Sequence, residues 1–239
     1  MFKALIVGCG KIAGANDIFG SMTHGGAYAS QSNIDLVAAV DRDSIKARQF
    51  AELSSCAYSS ELIPSLELYA PDVVSVCTPD ATHFDVVCEI LSIPCAPRVI
   101  FLEKPACATQ EQYVTLLHLA AKSCSVIVVN HSRRFSSEIQ ILRERFSDGE
   151  FGRLHQASAI YYSGWMHNGT HIVDTLTFLL DDVIEVNQIT GMIESPYQND
   201  PTLKVLATLK RRRALWSSAP LTRRFTRSSN WISGLRMRD

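Results

Sequence analysis

The sequence predicts an α/β fold, in which a doubly wound parallel sheet is followed by a second, α+β domain. Over residues 1–130, short β-rich apolar runs alternate with helical stretches, which is the pattern of a parallel sheet with helices on both faces. Beyond this region the pattern changes without a visible linker. We therefore predict domains at residues 1–130 and 131–208, followed by a basic tail at residues 209–239.

The predicted strands of the first domain are continuous apolar runs, as expected for strands that are buried on both faces. They cover residues 3–7, 36–40, 73–77, 99–102 and 126–129. Helices are predicted over residues 11–31, with a loop near 16–20, and over 44–53, 60–69, 83–91 and 110–122. In the second domain the apolar spacing predicts helices over 136–146 and 170–180 and strands within 153–163 and 183–194.

Composition is that of an ordinary globular protein, with 46% hydrophobic and 20% charged residues in a chain of 239. No apolar run approaches the roughly 20 residues that a membrane-spanning helix needs, and Met1 leads into an apolar strand without a secretory pattern. Seven cysteines at irregular spacings indicate free thiols in a reducing compartment. The sequence therefore predicts a cytoplasmic protein without a membrane partner.

A glycine-rich turn of the form G-x-G-x-x-A follows the first strand and opens the first helix. Gly8 permits the tight turn, Gly10 lets the backbone approach a pyrophosphate, and Ala13 allows close helix packing. The unpaired N–H groups at the start of this helix, near Lys11 and Ile12, would face the phosphates. This turn predicts a Rossmann domain that binds a dinucleotide.

Asp41 stands at the carboxyl end of the second predicted strand, where an acidic side chain can accept hydrogen bonds from both ribose hydroxyls of the adenosine half. Its carboxylate would repel a 2′-phosphate, which favours NAD over NADP. The adjacent Arg42 could instead pair with that phosphate. We therefore predict NAD as the cofactor and keep NADP as the alternative.

Two further segments come directly after predicted strands, at the edge where open α/β sheets bind ligands. They are Thr78-Pro79-Asp80-Ala81-Thr82-His83 and Glu103-Lys104-Pro105. Together with the glycine-rich turn, they resemble the G-x-G-x-x-G/A, T-P-x-x-x-H and E-K-P motifs of the Gfo/Idh/MocA family of NAD(P)-dependent oxidoreductases. The resemblance implies a set of residues around the cofactor, namely Thr78, Pro79, His83, Glu103 and Lys104.

In that family the lysine of E-K-P lies beside the nicotinamide and the substrate carbon, so the resemblance makes Lys104 a catalytic residue. An ammonium beside a substrate oxygen stabilises the negative charge that develops as hydride moves. Partial burial could also lower the pKa of this lysine toward a useful range. The alternative is a surface lysine in the turn before Pro105.

The segment Gly169-Thr170-His171-Ile172-Val173-Asp174 resembles a G-x-H-x-x-D segment that begins a helix in the second domain of the family. His171 could pass the hydroxyl proton of the substrate, while Asp174 would orient or cap. His167 stands where many members carry an aspartate, which leaves a Lys/Asp/His triad open. We predict no metal, since no further ligand accompanies the two histidines.

Three residues are candidate substrate contacts: His167, Asp174 and Arg134. Arg134 follows the last predicted strand of the first domain, where the family often places polar residues that face the active-site cleft, and a helix-capping or ion-pair role is the alternative. His24, in Thr23-His24-Gly25-Gly26-Ala27, resembles a T-H-A-x-A segment of the family. It is a further candidate for the lining of the cleft.

The resemblance fades after about residue 208, although family members are considerably longer. It therefore implies an incomplete second domain with a largely antiparallel open sheet. Charge also changes here, because residues 1–203 hold 13 basic and 23 acidic side chains, whereas residues 204–239 hold 10 basic and one acidic. The tail at 209–239 shows neither strand alternation nor a helical period. A truncated or frameshifted product, a solvated tail and a nucleic-acid-binding element all stay open, with nucleic acid ranked last.

The resemblance implies hydride transfer between NAD(P) and a secondary alcohol or ketone of a sugar, cyclitol or sugar nucleotide. The alternative is a non-catalytic dinucleotide-binding regulator, or an inactive truncated remnant of such an enzyme. A sugar-like small molecule is the expected partner, and the resemblance implies a homo-oligomer for a full-length form.

Overall fold

The computed structural model describes residues 1–15, 22–210, 231–232 and 235–238. The chain divides into two compact units, Met1–Asn130 and His131–Asp239. Among the helices in the described ranges, none combines the length and apolarity needed to cross a bilayer.

The first unit is built around a six-stranded sheet in the order β3-β2-β1-β4-β5-β6, with every pair of neighbours parallel. Its strands are β1 (Phe2–Val7), β2 (Ile34–Val40), β3 (Ala57–Ser59), β4 (Val73–Val76), β5 (Val99–Leu102) and β6 (Val126–Val129). The strand order reverses between β1 and β4, which is the point where open sheets of this type bind ligands. The predicted doubly wound Rossmann sheet is confirmed.

The central strands could be predicted from continuous runs of apolar residues, because these strands are covered on both faces. Leu5, Val74 and Ile100, from β1, β4 and β5, are completely buried and belong to one core cluster. β3 was not predicted, because it is only three residues long and lies at the edge of the sheet with serine at its end. Strand length, more than composition, therefore limited the prediction in this unit.

Five helices connect these strands: α1 (His24–Ala29), α2 (Ser44–Ser54), α3 (Leu62–Tyr69), α4 (His83–Ser92) and α5 (Gln110–Ser123). The prediction of a helix that starts at residue 11 is wrong, because the chain turns there and α1 begins only at His24. Gly14 has a φ of +117°, which no right-handed helix accommodates. The Thr23 side chain then accepts a hydrogen bond from the Gly26 N–H and caps α1. The loop expected near residues 16–20 lies outside the described residues.

The second unit combines two helices with antiparallel strand pairs. Its elements are α6 (Ser137–Ser147), β7 (Gln156–Ala159), a π-helical turn (Trp165–Gly169), α7 (Thr170–Leu180), β8 (Ile184–Ile193), β9 (Thr202–Leu209), β10 (Trp231–Ile232) and β11 (Leu235–Arg238). β8 pairs with β9, while β11 pairs with both β7 and β10. Ile139 and Leu142 of α6 pack with Leu179 and Leu180 of α7. The predicted antiparallel character of this region is confirmed.

The strand predicted within residues 153–163 is present as the shorter β7. The prediction that the tail lacks strands is wrong, because β10 and β11 lie there. Residues 235–238 read Leu-Arg-Met-Arg, a period-of-two pattern that the density of arginine obscures. Residues 211–230, 233–234 and 239 of the tail lie outside the described residues, so its three interpretations stay open.

Candidate active site

The glycine-rich turn is tightly packed at Gly8 and open at Gly10. Gly8 has a φ of +90°, and a Cβ added there would lie 2.7 Å from the backbone nitrogen of Thr78. A Cβ added at Gly10 would meet no atom within 4 Å. The turn therefore leaves room above Gly10, which is where the backbone of this motif approaches a pyrophosphate.

The residues that follow these glycines divide between core and surface. Ala13 is completely buried and packs beneath the turn, as predicted from its size. Lys11 and Ile12 are both exposed at the surface of the turn. The two residues are thus accessible from solvent, and their contact with the phosphates stays a prediction.

Asp41 lies at the carboxyl end of β2 and holds the glycine-rich turn directly. Its Oδ2 accepts a hydrogen bond from the Cys9 N–H at 2.8 Å, and its Oδ1 accepts one from the Asp43 N–H at 2.9 Å. Each carboxylate oxygen has further lone pairs, so both can still accept a ribose hydroxyl. Arg42 is exposed beside it.

Cys9 lies inside this turn but is not a reactive thiol. Burial, reinforced by the negative charge of Asp41, raises the pKa of the Cys9 thiol to about 12. The thiol therefore stays protonated near neutral pH and packs in the core. All seven cysteines are free, as predicted.

His83 begins α4 and connects the loops that follow β4 and β5. Its Nδ1 lies 2.7 Å from the carbonyl oxygen of Pro105, and its Nε2 lies 2.8 Å from the carbonyl oxygen of Thr78. The imidazole is 0% exposed. The expectation that His83 itself lines the nicotinamide pocket therefore needs correction, because the buried ring positions the two loops instead.

His83→Leu should lower the free energy of unfolding by about 1–3 kcal/mol, because it removes the buried ring whose N–H donates to a backbone carbonyl group between these loops. Urea unfolding followed by circular dichroism measures this change. Glu89→Ala, at an exposed position of the same helix, is the control and should stay within about 0.5 kcal/mol of the original protein. Equal stabilities of the two variants would contradict a bridging role for His83.

Thr78 and Pro79 occupy the loop between β4 and α4. Pro79 is exposed, whereas the Oγ1 atom of Thr78 is buried and has no hydrogen-bond partner. An unpaired buried hydroxyl is costly, so a polar group of a ligand is a natural partner for it. This atom and the open space above Gly10 both fit a dinucleotide at the carboxyl edge of the sheet.

Glu103 turns away from the surface of the sheet edge and into the unit. Its Oε1 accepts hydrogen bonds from His24 Nε2 at 2.9 Å and from Asn130 Nδ2 at 2.6 Å. Burial alone would raise the pKa of Glu103, but the hydrogen bonds from His24 and Asn130, together with the coulombic effect of His24 and the backbone of Lys104, lower the pKa below its ordinary value. The carboxylate is thus ionised and engaged internally through Oε1, while its expected role as a cofactor contact stays a prediction.

Lys104 follows β5 at the same edge as Asp41 and Thr78, because β2, β4 and β5 are parallel and end on one side of the sheet. The residue is half-buried. With Glu103 turned inward, the E-K-P segment offers the lysine as its charged group at this edge. The first unit thus brings together the glycine-rich turn, Asp41, Thr78 and Lys104.

In the second unit, Asp174 of α7 forms an ion pair with Arg134, which lies in the short helical turn Ser132–Phe135. Arg134 Nε donates to both carboxylate oxygens of Asp174, at 3.0 and 2.9 Å, and its terminal nitrogen donates as well. His131 Nδ1 lies 3.6 Å from Asp174 Oδ2. Asp174 therefore orients Arg134 and ties α7 to this turn, while substrate contact by either residue stays a prediction.

A cavity of about 360 Å³ lies next to this ion pair. It is lined by His131, Trp165, Thr170, Val173, Asp174 and Thr177. The lining combines hydroxyl, imidazole and carboxylate groups with an indole and an aliphatic side chain. His171 lies half-buried in the first turn of α7, one residue beyond Thr170.

His167 lies in the π-helical turn before α7 and contacts the segment that precedes β9. Its ring stacks on Tyr197 with 4.0 Å between centroids, and its backbone N–H donates to Asp200 Oδ2 at 2.9 Å. A Cβ added at Gly164 would clash with Asp200, so the turn and the loop before β9 fit closely. Among the residues that the structure describes, no three histidine, cysteine or acidic side chains are grouped to hold a metal ion.

Sequence reasoning missed several residues that contact the predicted ones, namely Asn130, His131, Tyr197, Asp200 and also Ser75, whose Oγ lies 2.9 Å from His24 Nδ1. Ser75 could have been identified from the sequence, because it is a polar residue inside the apolar strand β4. Asn130 could also have been identified, because it directly follows β6 at the ligand-binding edge. The other three lie in irregular segments, where spacing indicates neither burial nor a partner.

Comparisons with known proteins agree with this geometry. A family model described as an oxidoreductase family with an NAD-binding Rossmann fold matches residues 2–131. The D-glucoside 3-dehydrogenase of Escherichia coli (strain K12) is 27% identical over 66% of this chain and 42% of its own length. The inositol 2-dehydrogenase of Rhizobium meliloti (strain 1021) is 26% identical over 56% of this chain and 40% of its own length.

One solved structure that is similar in fold is myo-inositol dehydrogenase from Lactobacillus casei in complex with NAD(H) and myo-inositol. It superimposes with a TM-score of 0.67 at 20% identity, over 88% of this chain and 65% of its own. The matched part of the chain spans less than half the length of the two curated relatives.

Proposed function

Since the chain belongs to the Gfo/Idh/MocA oxidoreductase family with its NAD-binding Rossmann fold, we propose that it transfers hydride between NAD and a secondary alcohol or ketone of a sugar, cyclitol or sugar nucleotide. One observation carries the proposal: the half-buried Lys104 lies at the same sheet edge as the open glycine-rich turn. The names of the glucoside and inositol dehydrogenases among its relatives support this substrate class.

We propose that the turn around Gly10 holds the pyrophosphate of NAD and that Asp41 accepts the ribose hydroxyls of its adenosine half. The free lone pairs of Asp41 and the unpaired Oγ1 of Thr78 support this placement. A carboxylate at this position disfavours the 2′-phosphate of NADP. When bound, NAD supplies the group that accepts or donates the hydride.

In the proposed oxidation, a C–H bond of the substrate carbinol breaks and its electron pair leaves as hydride, while the hydroxyl loses its proton and becomes a carbonyl. Lys104 donates a hydrogen bond to the substrate oxygen and stabilises the negative charge that develops there. His171 takes the hydroxyl proton, since imidazole titrates near neutral pH. Reduction runs the same steps in reverse.

The alternative proposal is a dinucleotide-binding protein without catalysis, or an inactive remnant. It is favoured by His167, which stands where many members of the family carry an aspartate. Turnover of any polyol would exclude it. On the family resemblance we also propose a cytoplasmic location and, for a full-length form, a homo-oligomer.

Cofactor binding is tested by titrating the 239-residue protein with NADH and, separately, with NADPH, while nicotinamide fluorescence is followed. We expect saturable binding with at least about tenfold preference for NADH, because Asp41 repels a 2′-phosphate. The control is Gly10→Trp, which fills the open space above the turn. This variant should fold normally and lose binding, and binding that survives in it would contradict the proposed site.

A further inference from the structure

Five polar side chains form a continuous hydrogen-bonded chain through the interior of the first unit. Tyr28 Oη lies 2.6 Å from Ser75 Oγ, and Ser75 Oγ lies 2.9 Å from His24 Nδ1. His24 Nε2 lies 2.9 Å from Glu103 Oε1, which also accepts from Asn130 Nδ2 at 2.6 Å. The chain therefore links α1 to β4 and to the carboxyl ends of β5 and β6.

The chemistry of these groups fixes the direction of the hydrogen bonds at Glu103. A carboxylate only accepts, so His24 Nε2 and Asn130 Nδ2 must both donate to it. In a neutral imidazole, His24 Nδ1 then accepts from the Ser75 hydroxyl, which in turn accepts from Tyr28. In an imidazolium, Nδ1 would instead donate to the Ser75 hydroxyl, and Nε2 would still donate to Glu103.

The central side chains of this hydrogen-bonded series are buried. The His24 side chain is 6% exposed and that of Glu103 is 13% exposed, so the hydrogen bond between them is shielded from water. Burial also raises the pKa of Tyr28 to about 12, which keeps its hydroxyl protonated. Glu103 directly precedes Lys104 in the chain, and the backbone N–H of Lys104 contributes to the lowered pKa of its carboxyl group. Fixing the Glu103 side chain therefore constrains the backbone next to the residue that carries the proposed catalytic ammonium.

We propose that His24 is a positioning residue for Lys104, acting through the carboxylate of Glu103, and that it does not line the cleft. His24 holds Glu103 in its inward orientation, and Glu103 holds the backbone at Lys104. This assignment rests on the proposed function only for its consequence in catalysis. The positioning itself is a property of the folded protein without ligand.

The test compares His24→Leu with His24→Gln. Leucine removes the donor to Glu103, whereas the glutamine side chain can still place an N–H near the position of Nε2. The hydrogen-exchange rate of the Lys104 amide reports on how firmly the backbone next to Glu103 is held. We expect this exchange to be faster by about tenfold in His24→Leu and within about threefold of the original in His24→Gln.

Two controls separate positioning from general loosening. Tyr28→Phe removes the hydroxyl at the far end of the chain and should leave exchange at Lys104 within about threefold of the original. The amide of Ile100, in the centre of β5, reports on the core and should keep its exchange rate in every variant. An unchanged Lys104 amide in a folded His24→Leu protein would overturn the proposal, and so would parallel increases at Lys104 and Ile100.

Catalysis supplies a second measurement where the protein turns over a polyol. His24→Leu should lower kcat by about tenfold with the Kd for NADH within about threefold, because the lysine is misplaced while the cofactor contacts stay. His24→Gln should recover most of kcat. A protein without turnover would contradict the proposed function alone, since hydrogen exchange decides the positioning role independently.

Discussion

Replacing Lys104 with methionine should lower kcat by about 10²–10³-fold, because the variant loses the cation that stabilises the developing charge on the substrate oxygen. Methionine keeps most of the aliphatic length, so the packing of the side chain is largely preserved. The Kd for NADH should change by less than about threefold, since the proposed cofactor contacts lie at Gly10, Asp41 and Thr78. Steady-state rates of NADH formation and a fluorescence titration measure the two quantities.

Lys46→Met is the matched control for this experiment. Lys46 lies on α2 with its side chain 62% exposed, so its replacement should leave kcat and the Kd for NADH unchanged. Equal turnover of Lys104→Met and the original protein would remove Lys104 from the reaction. A selective loss of NADH affinity would instead make this lysine a cofactor contact.

Gly8→Ala should lower the free energy of unfolding by about 2–4 kcal/mol. The added methyl group would lie 2.7 Å from the backbone of Cys77 and Thr78, and the φ of +90° is unfavourable for any residue with a Cβ. Because the opposing atoms belong to the backbone at the end of β4, a rotamer change cannot relieve the clash. Urea unfolding at neutral pH measures the loss.

Gly10→Ala provides the comparison within the same turn. Its added methyl group meets no atom within 4 Å, so the free energy of unfolding should stay within about 0.5 kcal/mol of the original value. Substitutions at the two glycines of this motif are thus expected to have different effects. Substitution of Gly8 should lower the stability of the fold, whereas substitution of Gly10 should affect cofactor binding. Similar destabilisation by both substitutions would contradict this division.

Much of the first unit could be predicted because its signals are local. The apolar runs of β1, β4, β5 and β6 gave the parallel sheet, and the glycines gave the turn after β1. β3 lacked such a signal because it has only three residues, and α1 started late because Gly14 has a positive φ. Backbone geometry at single residues was the part that composition did not indicate.

The site was predictable in its location but not in the direction of its side chains. Parallel strands place residues 41, 78 and 104 at one edge, and sequence reasoning placed them there. Glu103 and His83 stand at the same edge, yet their side chains point inward to His24, to Asn130 and to backbone carbonyl groups. Which side chain turns inward depends on partners that are distant in the chain, and a single sequence does not show them.

The double attachment of Asp41 limits how the cofactor preference of this protein can be redesigned. Replacing this acidic residue with a small neutral one is a direct way to admit a 2′-phosphate. Here the same carboxylate anchors Cys9 in the glycine-rich turn and Asp43 at the start of α2. A redesign for NADP must therefore supply new acceptors for both N–H groups. Without them, the turn is expected to lose its anchors and to bind neither NAD nor NADP.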